Sequence, residues 1–258
     1  MDFNLEEPKL TVLDSFSTVV DPSKDHRICI LGPSESGKTM KLFQLWEDVY
    51  IPSKENFIYV VYSNNFHTIK MYERFFEFHK LEGNLITIEA DDGDEKLRRF
   101  LDSTKKTKGE FRFFLCLDDF VGSTTGKSLE KKKSLLNFIV YQGRHNGITS
   151  CFVTQTIISL DARLLGSCTI IILTQDDSRT NLTDHTYSKI LSRADGEMEK
   201  LGLIKNIRSK ACCISTYYRL LARDLEGFQS LILTKDNRRK TKIHIIDNNK
   251  DSYIDGDS

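Results

Sequence analysis

The sequence predicts an α/β fold in which helices flank both faces of a mostly parallel central sheet. Short β-rich runs alternate with segments of helical length between residues 27 and 175 of the 258-residue chain. Several of these runs are apolar throughout rather than at every second residue, which is typical of strands covered on both faces. Alternation of this kind favours parallel strands that are joined by crossover helices.

The individual elements follow from the same patterns. Six strands are predicted, at residues 27–32, 57–63, 85–90, 111–119, 148–155 and 168–175. Helices are predicted between them at residues 38–50, 68–81 and 129–144. After residue 175 we expect polar helices at residues 183–201 and 215–225, and then a β-hairpin in residues 228–246 with its turn near Asp236 and Asn237.

One domain accounts for this pattern. We expect an extended lead-in in residues 1–24 and a single domain in residues 25–246, with a core in residues 25–175 and a C-terminal elaboration in residues 176–246. The remaining residues 247–258 are polar and acidic, and they are predicted to form a disordered tail.

Composition limits the classes of partner and compartment. The chain has 37 Lys and Arg against 37 Asp and Glu, so no overall basic field indicates a nucleic-acid partner, although a pore or loop can concentrate charge locally. No apolar stretch approaches the roughly 20 residues that span a membrane, and no leader with a cleavage site is evident. We therefore expect a soluble, intracellular protein that does not bind membranes.

The cysteine pattern predicts reduced thiols rather than a metal site or disulfides. None of the six cysteines forms a C-x-x-C pair, and four of them lie in strongly apolar runs. The adjacent Cys212 and Cys213 lack the spacing of a zinc site, and no chemistry is assigned to them.

A phosphate-binding loop is the strongest motif in the chain. The residues GPSESGKT match G-x-x-x-x-G-K-[ST] between an apolar strand and an amphipathic helix. The glycines let successive N–H groups point at phosphate oxygens, and the helix adds its positive N-terminal end. Lys38 would supply a cation to the β- and γ-phosphates, and Thr39 a hydroxyl ligand for Mg²⁺. The residues expected to bind the nucleotide are Gly32, Pro33, Ser34, Glu35, Ser36, Gly37, Lys38, Thr39 and Met40.

A second glycine-rich stretch, GSTTGKS at residues 122–128, has one residue too few between its glycines. We interpret it as a flexible, partly basic loop that continues into Lys131, Lys132 and Lys133. This run of lysines is either a solvated helix face or an element that faces DNA.

Polar side chains end two later strands. In FFLCLDDF we expect Asp118 to hold the Mg²⁺ shell and Asp119 to polarise the attacking water as a general base, although Asp is shorter than the Glu more frequent there. Gln155 ends the next strand, where it would sense the γ-phosphate or orient water. The alternative for Gln155 is an amide that bonds to the backbone at the start of a loop.

These residues favour ATP hydrolysis over related activities. A small-molecule kinase usually carries an Arg-rich lid and seldom needs an acidic pair on a later strand. A signalling GTPase needs an N-K-x-D guanine reader, and NKDS at residues 249–252 fails at its last position. A degenerate ATP-binding module without translocation is the alternative from another class, and the intact Lys38, Thr39 and acidic pair argue against it.

Together these motifs resemble those of the FtsK–HerA superfamily. GPSESGKT, CLDDF and GRHNGITSCFVTQ, in this order, resemble the genome-packaging ATPases of poxvirus-type large DNA viruses, virophages and Polinton (Maverick) elements. Stretches at residues 57–75, 169–179 and 228–245 resemble the Polinton-like branch, so the similarity covers roughly residues 26–246. The chain departs from relatives at Glu35, where they often have Gly, and in DDSR at residues 176–179, where they tend to carry Asn-Pro before the Arg.

The resemblance implies a ring-shaped motor with a P-loop NTPase fold, which hydrolyses ATP with Mg²⁺ and moves double-stranded DNA without reading its sequence. It implies capsid proteins at the packaging vertex as partners, and a site of action in the host cytoplasm or nucleus, where virions assemble. A neighbouring subunit would contribute an arginine to each ATP site, and the candidates in order are Arg144, Arg163 and Arg179. The alternative for each is a surface ion pair.

Positive surface for the DNA would come from Lys127 with Lys131 to Lys133, or from Arg238, Arg239 and Lys240. His145, beside Arg144, is expected to be a structural or phosphate-proximal polar group rather than a metal ligand, since no second His stands at ligand spacing.

Overall fold

The computed structural model describes residues 11–53, 56–89, 93–107, 109–120, 127–155, 166–174, 229–235 and 241–247, with side chains apart from those of residues 93, 127–133 and 241. Nine strands are present in these residues: β1 (Val12–Leu13), β2 (Arg27–Leu31), β3 (Phe57–Ser63), β4 (Leu85–Glu89), β5 (Arg112–Asp118), β6 (Ile148–Thr154), β7 (Ile170–Thr174), β8 (Ser230–Lys235) and β9 (Thr241–Ile246). The α-helices are α1 (Lys38–Leu45), α2 (Phe66–Phe78), α3 (Gly93–Thr104) and α4 (Lys127–Gln142).

All nine strands belong to one sheet, in the order β1-β9-β8-β7-β2-β6-β5-β3-β4. Strand β8 pairs antiparallel with both β7 and β9, and every other described pairing is parallel. The carboxyl ends of β2, β5, β6 and β7 therefore lie at the same edge of the sheet. In the central register Leu31 is paired with Thr154 on one side and with Leu173 on the other.

The predicted fold class is confirmed by this architecture. All six predicted strands are present, and the predicted hairpin is the antiparallel pair of β8 and β9. Helix α2 begins two residues before its predicted start, because Asn65 Oδ1 accepts hydrogen bonds from the N–H groups of His67 and Thr68 at 2.9 and 3.4 Å and so caps it. The predicted helices at residues 183–201 and 215–225, the hairpin turn and residues 248–258 of the predicted tail lie outside the described residues.

Two elements are not anticipated by the sequence patterns. Helix α3 is mostly polar, and the buried residues among its described side chains are Leu97, Leu101 and Thr104. Strand β1 has only two residues, yet it extends the sheet by pairing with β9. It lies in the predicted lead-in, and Phe16 from the same segment is 0% exposed. Residues 11–20 thus pack on the domain, whereas the domain boundaries themselves stay predictions.

The two faces of the sheet carry separate apolar cores. Helices α3 and α4 pack on one face and helices α1 and α2 on the other. The second core is rich in aromatic residues and centres on Trp46, in the π-helical turn Trp46–Tyr50 that continues α1. Its indole contacts the rings of Tyr59, Tyr72, Phe76 and Phe114 at centroid distances of 5.2 to 5.7 Å. These contacts fix α1 and α2 against the strands that end at the site.

The prediction of reduced core thiols holds for the described cysteines. Cys29, Cys116, Cys151 and Cys168 are buried reduced thiols. Burial raises the pKa of the first three thiols well above the usual value, which keeps them protonated and unreactive. Cys212 and Cys213 lie outside the described residues. In the same described part, no helix is long and apolar enough to cross a membrane.

A buried lysine lies on α1, one turn beyond its start. Lys41 is 1% exposed, and its Nζ donates to Gln44 Oε1 at 3.1 Å. Burial lowers the pKa of Lys41 to about 7, and the carboxylates of Asp247 and Asp48 oppose that shift. The folded protein therefore releases the proton of this ammonium at a lower pH than the unfolded chain does.

We expect this lysine to make the protein more stable as pH rises above 7. Between the folded pKa of about 7 and the ordinary value of 10.5, the unfolded chain binds the proton more tightly. The free energy of unfolding should therefore rise by up to about 1.4 kcal/mol per pH unit from this group. Urea unfolding at pH 7, 8 and 9 should show a shallower rise for Lys41→Met than for the wild type. The exposed Lys70→Met is the control, and equal slopes for wild type and Lys41→Met would contradict the prediction.

Candidate active site

The predicted phosphate loop connects the carboxyl end of β2 to the first turn of α1. The Gly32 N–H donates to the Thr154 carbonyl at 3.4 Å, which ties the start of the loop to β6. Ser36 Oγ donates to the Pro33 carbonyl at 2.8 Å and lies 2.6 Å from Thr174 Oγ1 at the end of β7. The Lys38 ammonium also donates to the Pro33 carbonyl. The loop is thus anchored to both strands that flank β2.

Two glycines of the motif have clear structural reasons. A Cβ on Gly32 would lie 1.8 Å from Thr174 Oγ1 and 2.6 Å from Ser36 Oγ, so no larger residue fits at that position. Gly37 has a φ of 82° and forms the N-cap of α1, where the left-handed backbone favours glycine. This cradle, with a helix N-terminus behind it, suits phosphate oxygens. Ser34 is exposed, Thr39 is half-buried, and Met40 packs against the aromatic core.

Lys38 lies close to the predicted acidic pair. Burial lowers the pKa of its ammonium, and the carboxylates of Asp119 and Asp118 act in the opposite direction. The lysine and both carboxylates are therefore within electrostatic reach of one another, although Lys38 begins α1 and the two carboxylates lie at the end of β5. The three groups predicted to act on the nucleotide meet at one edge of the sheet.

Asp118 is the last residue of β5, and its carboxylate is 7% exposed. The pKa of Asp118 is raised to about 6: burial and, to a lesser degree, the charge of Asp119 raise it, while a hydrogen bond from Tyr72 and the charge of Lys38 lower it. Tyr72 Oη donates to Asp118 Oδ2 at 2.8 Å. A buried carboxylate at this edge suits a cation held jointly with phosphate oxygens, as Mg²⁺ usually is.

Asp119 has an unusual backbone conformation, with a φ of 48°. Asp and Asn tolerate this left-handed region better than other residues that carry a Cβ. The Asp119 N–H donates to the Val153 carbonyl at 3.0 Å, and Asn64 Nδ2 donates to the Asp119 carbonyl at 3.3 Å. Both contacts hold the turn after β5 in place.

Gln155 lies beside this carboxylate. It directly follows β6, its side chain is exposed, and its Nε2 lies 3.5 Å from Asp119 Oδ2, a long and weak hydrogen bond. Among the residues that the structure describes, this side-chain contact runs to a carboxylate. Asp119 and Gln155 are therefore brought together as a pair at the carboxyl edge, where the sequence predicts a water molecule to be activated.

Glu35 is the one loop residue with a Cβ at positive φ, with a φ of 60°. This conformation costs a non-glycine residue roughly 1–2 kcal/mol. Substitution by glycine would remove this strain, but glycine loses more backbone entropy on folding, which offsets part of the gain. The Glu35 side chain is exposed, so it also adds a negative charge to a loop predicted to bind phosphates.

We expect Glu35→Gly to raise the free energy of unfolding by about 0.5–1 kcal/mol and to tighten ATP binding a few-fold. Glu35→Ala separates the two causes, because it removes the charge but keeps the Cβ. Glu35→Ala should bind ATP as tightly as Glu35→Gly, measured by titration calorimetry. Its free energy of unfolding should not rise. Weaker ATP binding by both variants would contradict the prediction.

Arg144 lies at the opposite edge of the sheet. It belongs to the 3₁₀ turn Gly143–Asn146 before β6, whereas Gln155 follows β6. A strand of this length separates the two edges by about 20 Å. The side chain of Arg144 therefore cannot reach the phosphate loop of its own chain, and it could meet a nucleotide only in a neighbouring molecule.

Arg144 has no ion pair with the described residues. A surface ion pair was the predicted alternative to its role at a neighbouring ATP site. It is exposed and lines an open pocket of about 650 Å³ that also contains Asp21 and Asp25. Those two acids are paired with other cations, Lys24 at 2.9 Å and Arg112 at 2.5 Å respectively. His145, which lines the same pocket, is also exposed.

A second guanidinium lies near Arg144. Burial lowers the pKa of Arg27, and the like charge of Arg144 lowers it further. Arg27 donates to the carbonyls of Ser167 and Val140 at 2.7 and 2.8 Å, so its position is fixed. The fixed positive charge of Arg27 favours an outward position of the Arg144 side chain.

The other predicted cations cannot be placed. Arg163, Arg179, Arg238, Arg239 and Lys240 lie outside the described residues, as do the side chains of Lys127 and Lys131 to Lys133. Conversely, sequence patterns did not single out Tyr72, Asn64 and Thr174, which contact the acidic pair and the loop. Helical periodicity could have placed Tyr72 on the buried face of α2. It could not have predicted the hydrogen bond from its hydroxyl to Asp118.

Comparisons with known proteins give one family match and several structural matches. The model of a family described as Poxvirus A32 protein matches residues 16–210. No curated protein matches the chain.

Solved structures with a similar fold cover most of the chain. B204, the DNA-packaging ATPase from Sulfolobus Turreted Icosahedral Virus, has a TM-score of 0.56 at 16% identity, over 86% of this chain and 97% of that one. The genome packaging NTPase B204 from Sulfolobus turreted icosahedral virus 2 in complex with AMPPCP has a TM-score of 0.53 at 17% identity, over 87% and 98%. Its complex with ATP-gammaS gives 0.53 at 14% identity, over 87% and 98%. At these identities the likeness shows the fold, which is that of a P-loop NTPase.

Proposed function

Because the chain belongs to the Poxvirus A32 protein family, we propose that it is an ATPase that moves double-stranded DNA into a viral or virus-like capsid. The similar solved structures are described as a DNA-packaging ATPase and as genome packaging NTPases, two of them with ATP analogues bound. The narrower assignment to the Polinton-like branch stays a prediction.

One observation carries the ATPase assignment: Lys38 and the acidic pair, from two separate parts of the sequence, meet beside the phosphate loop. The pKa of Lys38 responds to both Asp118 and Asp119, and Gln155 approaches Asp119. A nucleotide-binding relic needs the loop alone. The acidic pair and the amide are the groups that hydrolysis adds, because water must be positioned and deprotonated.

Each residue has a separate role in the proposed reaction. The loop N–H groups and Lys38 bind the β- and γ-phosphates and stabilise the charge that develops on their oxygens. Gln155 orients a water molecule toward the γ-phosphorus, and the Asp119 carboxylate accepts a proton from it. The bond from phosphorus to the oxygen that bridges to ADP then breaks, so that ADP and phosphate leave.

The residues present fit a magnesium ion bound with the nucleotide. Asp118 and Thr39 would hold it, directly or through water, together with phosphate oxygens, which is the usual arrangement for Mg²⁺. When bound, Mg²⁺ neutralises charge on the β- and γ-phosphates. Asp118 must be ionised for this role, and the charge of Lys38 favours its ionised form.

Arg144 would act on the nucleotide of the next subunit in a homo-oligomeric ring. The two edges of the sheet are separated by about 20 Å. This separation fits a heterologous contact, in which one edge of each subunit faces the opposite edge of its neighbour. An arginine supplied in trans stabilises the transferring phosphoryl group and accelerates hydrolysis by orders of magnitude. Arg163 and Arg179 remain the next candidates.

Duplex DNA would pass through the centre of the ring. Contacts to its phosphates, without base readout, suit a motor that must move along any sequence. Lys127 with Lys131 to Lys133, or Arg238, Arg239 and Lys240, would supply these contacts. Capsid proteins at the packaging vertex would be the second partner, and the site of action would be the cytoplasm or nucleus of the host cell where virions assemble.

Phosphate release by the purified protein, with and without duplex DNA, tests this proposal. We expect Mg²⁺-dependent ATP hydrolysis that duplex DNA accelerates, and that Asp119→Asn removes without loss of ATP binding. ATP binding without turnover in both conditions would indicate a nucleotide-binding relic. Transfer of phosphate to an acceptor rather than to water would indicate a kinase.

A further inference from the structure

Tyr72 is a buried hydroxyl that none of the proposed catalytic steps uses. It lies on α2, its side chain is 0% exposed, and its Oη donates to Asp118 Oδ2 at 2.8 Å. Asp118 is itself nearly buried, so an oxygen without a partner there would be costly. The short bond to a carboxylate is the stronger, charge-assisted kind.

The hydrogen bond engages one carboxylate oxygen, Oδ2, and the described residues form no hydrogen bond to the other. A tyrosine hydroxyl has a single proton, and the distances assign it to Asp118 rather than to Cys116, whose Sγ lies 3.7 Å from Tyr72 Oη. The Cys116 thiol then donates to the hydroxyl oxygen. This chain of three buried groups fixes the direction of the Asp118 carboxylate, since rotation about its side chain would break the bond at Oδ2.

The ring of Tyr72 is held by the helix that follows the phosphate loop. It packs edge-on against Phe43 at a centroid distance of 5.6 Å and tilted against Trp46 at 5.7 Å. Phe43 lies in α1, which begins at Lys38 and contains Thr39. The same side chain thus contacts both elements that carry the proposed metal ligands, its ring on the helix of Thr39 and its hydroxyl on Asp118.

We propose that Tyr72 is a positioning residue that sets the Asp118 carboxylate relative to α1, so that Asp118 and Thr39 can share the magnesium ion of the bound nucleotide. This inference rests on the proposed ATPase function and deepens it. Partners that orient a metal ligand from behind typically change metal affinity or activity by about 10–100-fold.

Tyr72→Phe removes the hydroxyl and keeps the ring against Phe43 and Trp46. Tyr59→Phe is the matched control, because Tyr59 is buried in the same aromatic core, contacts Trp46 at 5.5 Å and does not contact Asp118. The measured quantity is the affinity for ATP-gammaS by titration calorimetry, with Mg²⁺ and with EDTA. This readout does not depend on turnover.

We expect Mg²⁺ to tighten ATP-gammaS binding in the wild type and in Tyr59→Phe, and this enhancement to be about 10-fold smaller in Tyr72→Phe. Affinity in EDTA should be the same in all three proteins. An unchanged Mg²⁺ enhancement in Tyr72→Phe would overturn the positioning role while leaving the ATPase proposal intact. If the wild type binds no nucleotide, the proposed function fails instead.

A double substitution guards against a purely structural effect of the hydroxyl. In Asp118→Asn the Mg²⁺ enhancement should already be reduced, and adding Tyr72→Phe should reduce it no further, because both changes act through one carboxylate. Independent losses that multiply would show that Tyr72 acts other than through Asp118, and would overturn the proposal.

Discussion

Lys38→Ala is expected to lower ATP turnover at least about 100-fold, because charge that develops on the phosphate oxygens loses its preorganised cation. The fold should survive, since burial lowers the pKa of Lys38 and its ammonium is therefore held at a cost. Turnover is measured by phosphate release at saturating ATP, and the folded state by thermal unfolding.

Lys41→Met provides the matched control for this substitution. Lys41 lies one turn further along α1, where its ammonium contacts Gln44 rather than the phosphate loop. We expect its turnover to stay within about twofold of the wild type, because methionine keeps an unbranched side chain of similar size at this buried position and leaves Lys38 in place. Turnover retained in Lys38→Ala would mean that the loop does not act on the hydrolysed phosphate.

Arg144→Ala is expected to lower turnover about 100–1000-fold in assembled protein, as removal of an arginine finger does. It should leave ATP affinity nearly unchanged, because Arg144 lies at the far edge of the sheet from the loop of its own chain. Arg112→Ala is unsuitable as a control, since Arg112 is 18% exposed and its ion pair with Asp25 is largely buried. Arg99 on α3 serves instead, because it is 77% exposed and its ion pair with Glu95 lies on the surface.

Mixing the two inactive variants distinguishes action in trans from action in cis. A Lys38→Ala subunit still offers Arg144 to a neighbour, and an Arg144→Ala subunit still has an intact loop. In a randomly mixed ring about one interface in four combines both intact parts, so turnover should recover to about a quarter of the wild type. No recovery on mixing would contradict the trans assignment, and full activity of Arg144→Ala alone would favour the surface-residue interpretation.

Much of the site can be predicted from the sequence because parallel strands meet at one edge. Once the apolar runs are read as parallel strands, the polar residues that end them, Asp118, Asp119 and Gln155, must lie near the loop that follows β2. The position of Arg144 at the opposite edge follows from the same rule, since it precedes the strand that Gln155 ends.

The remaining features depend on contacts that no local pattern encodes. Tyr72 meets Asp118 across 46 positions of sequence, and Thr174 restricts Gly32 across an even longer separation. The left-handed conformation of Glu35 is one that a residue with a Cβ rarely adopts, so residue type does not predict it. Helix α3 was not predicted because its apolar stripe is short: Leu97, Phe100 and Leu101 pack on the sheet, but they lie in an otherwise polar segment.

The decisive measurement is movement along duplex DNA. It is detected as displacement of the third strand of a triplex that lies at the end of a long duplex. We predict displacement by the wild-type protein with ATP and Mg²⁺, none with ATP-gammaS, and none with Lys38→Ala or Arg144→Ala alone. ATP hydrolysis that DNA stimulates but that never displaces the third strand would contradict the account, because the protein would then be a DNA-activated ATPase and not a packaging motor.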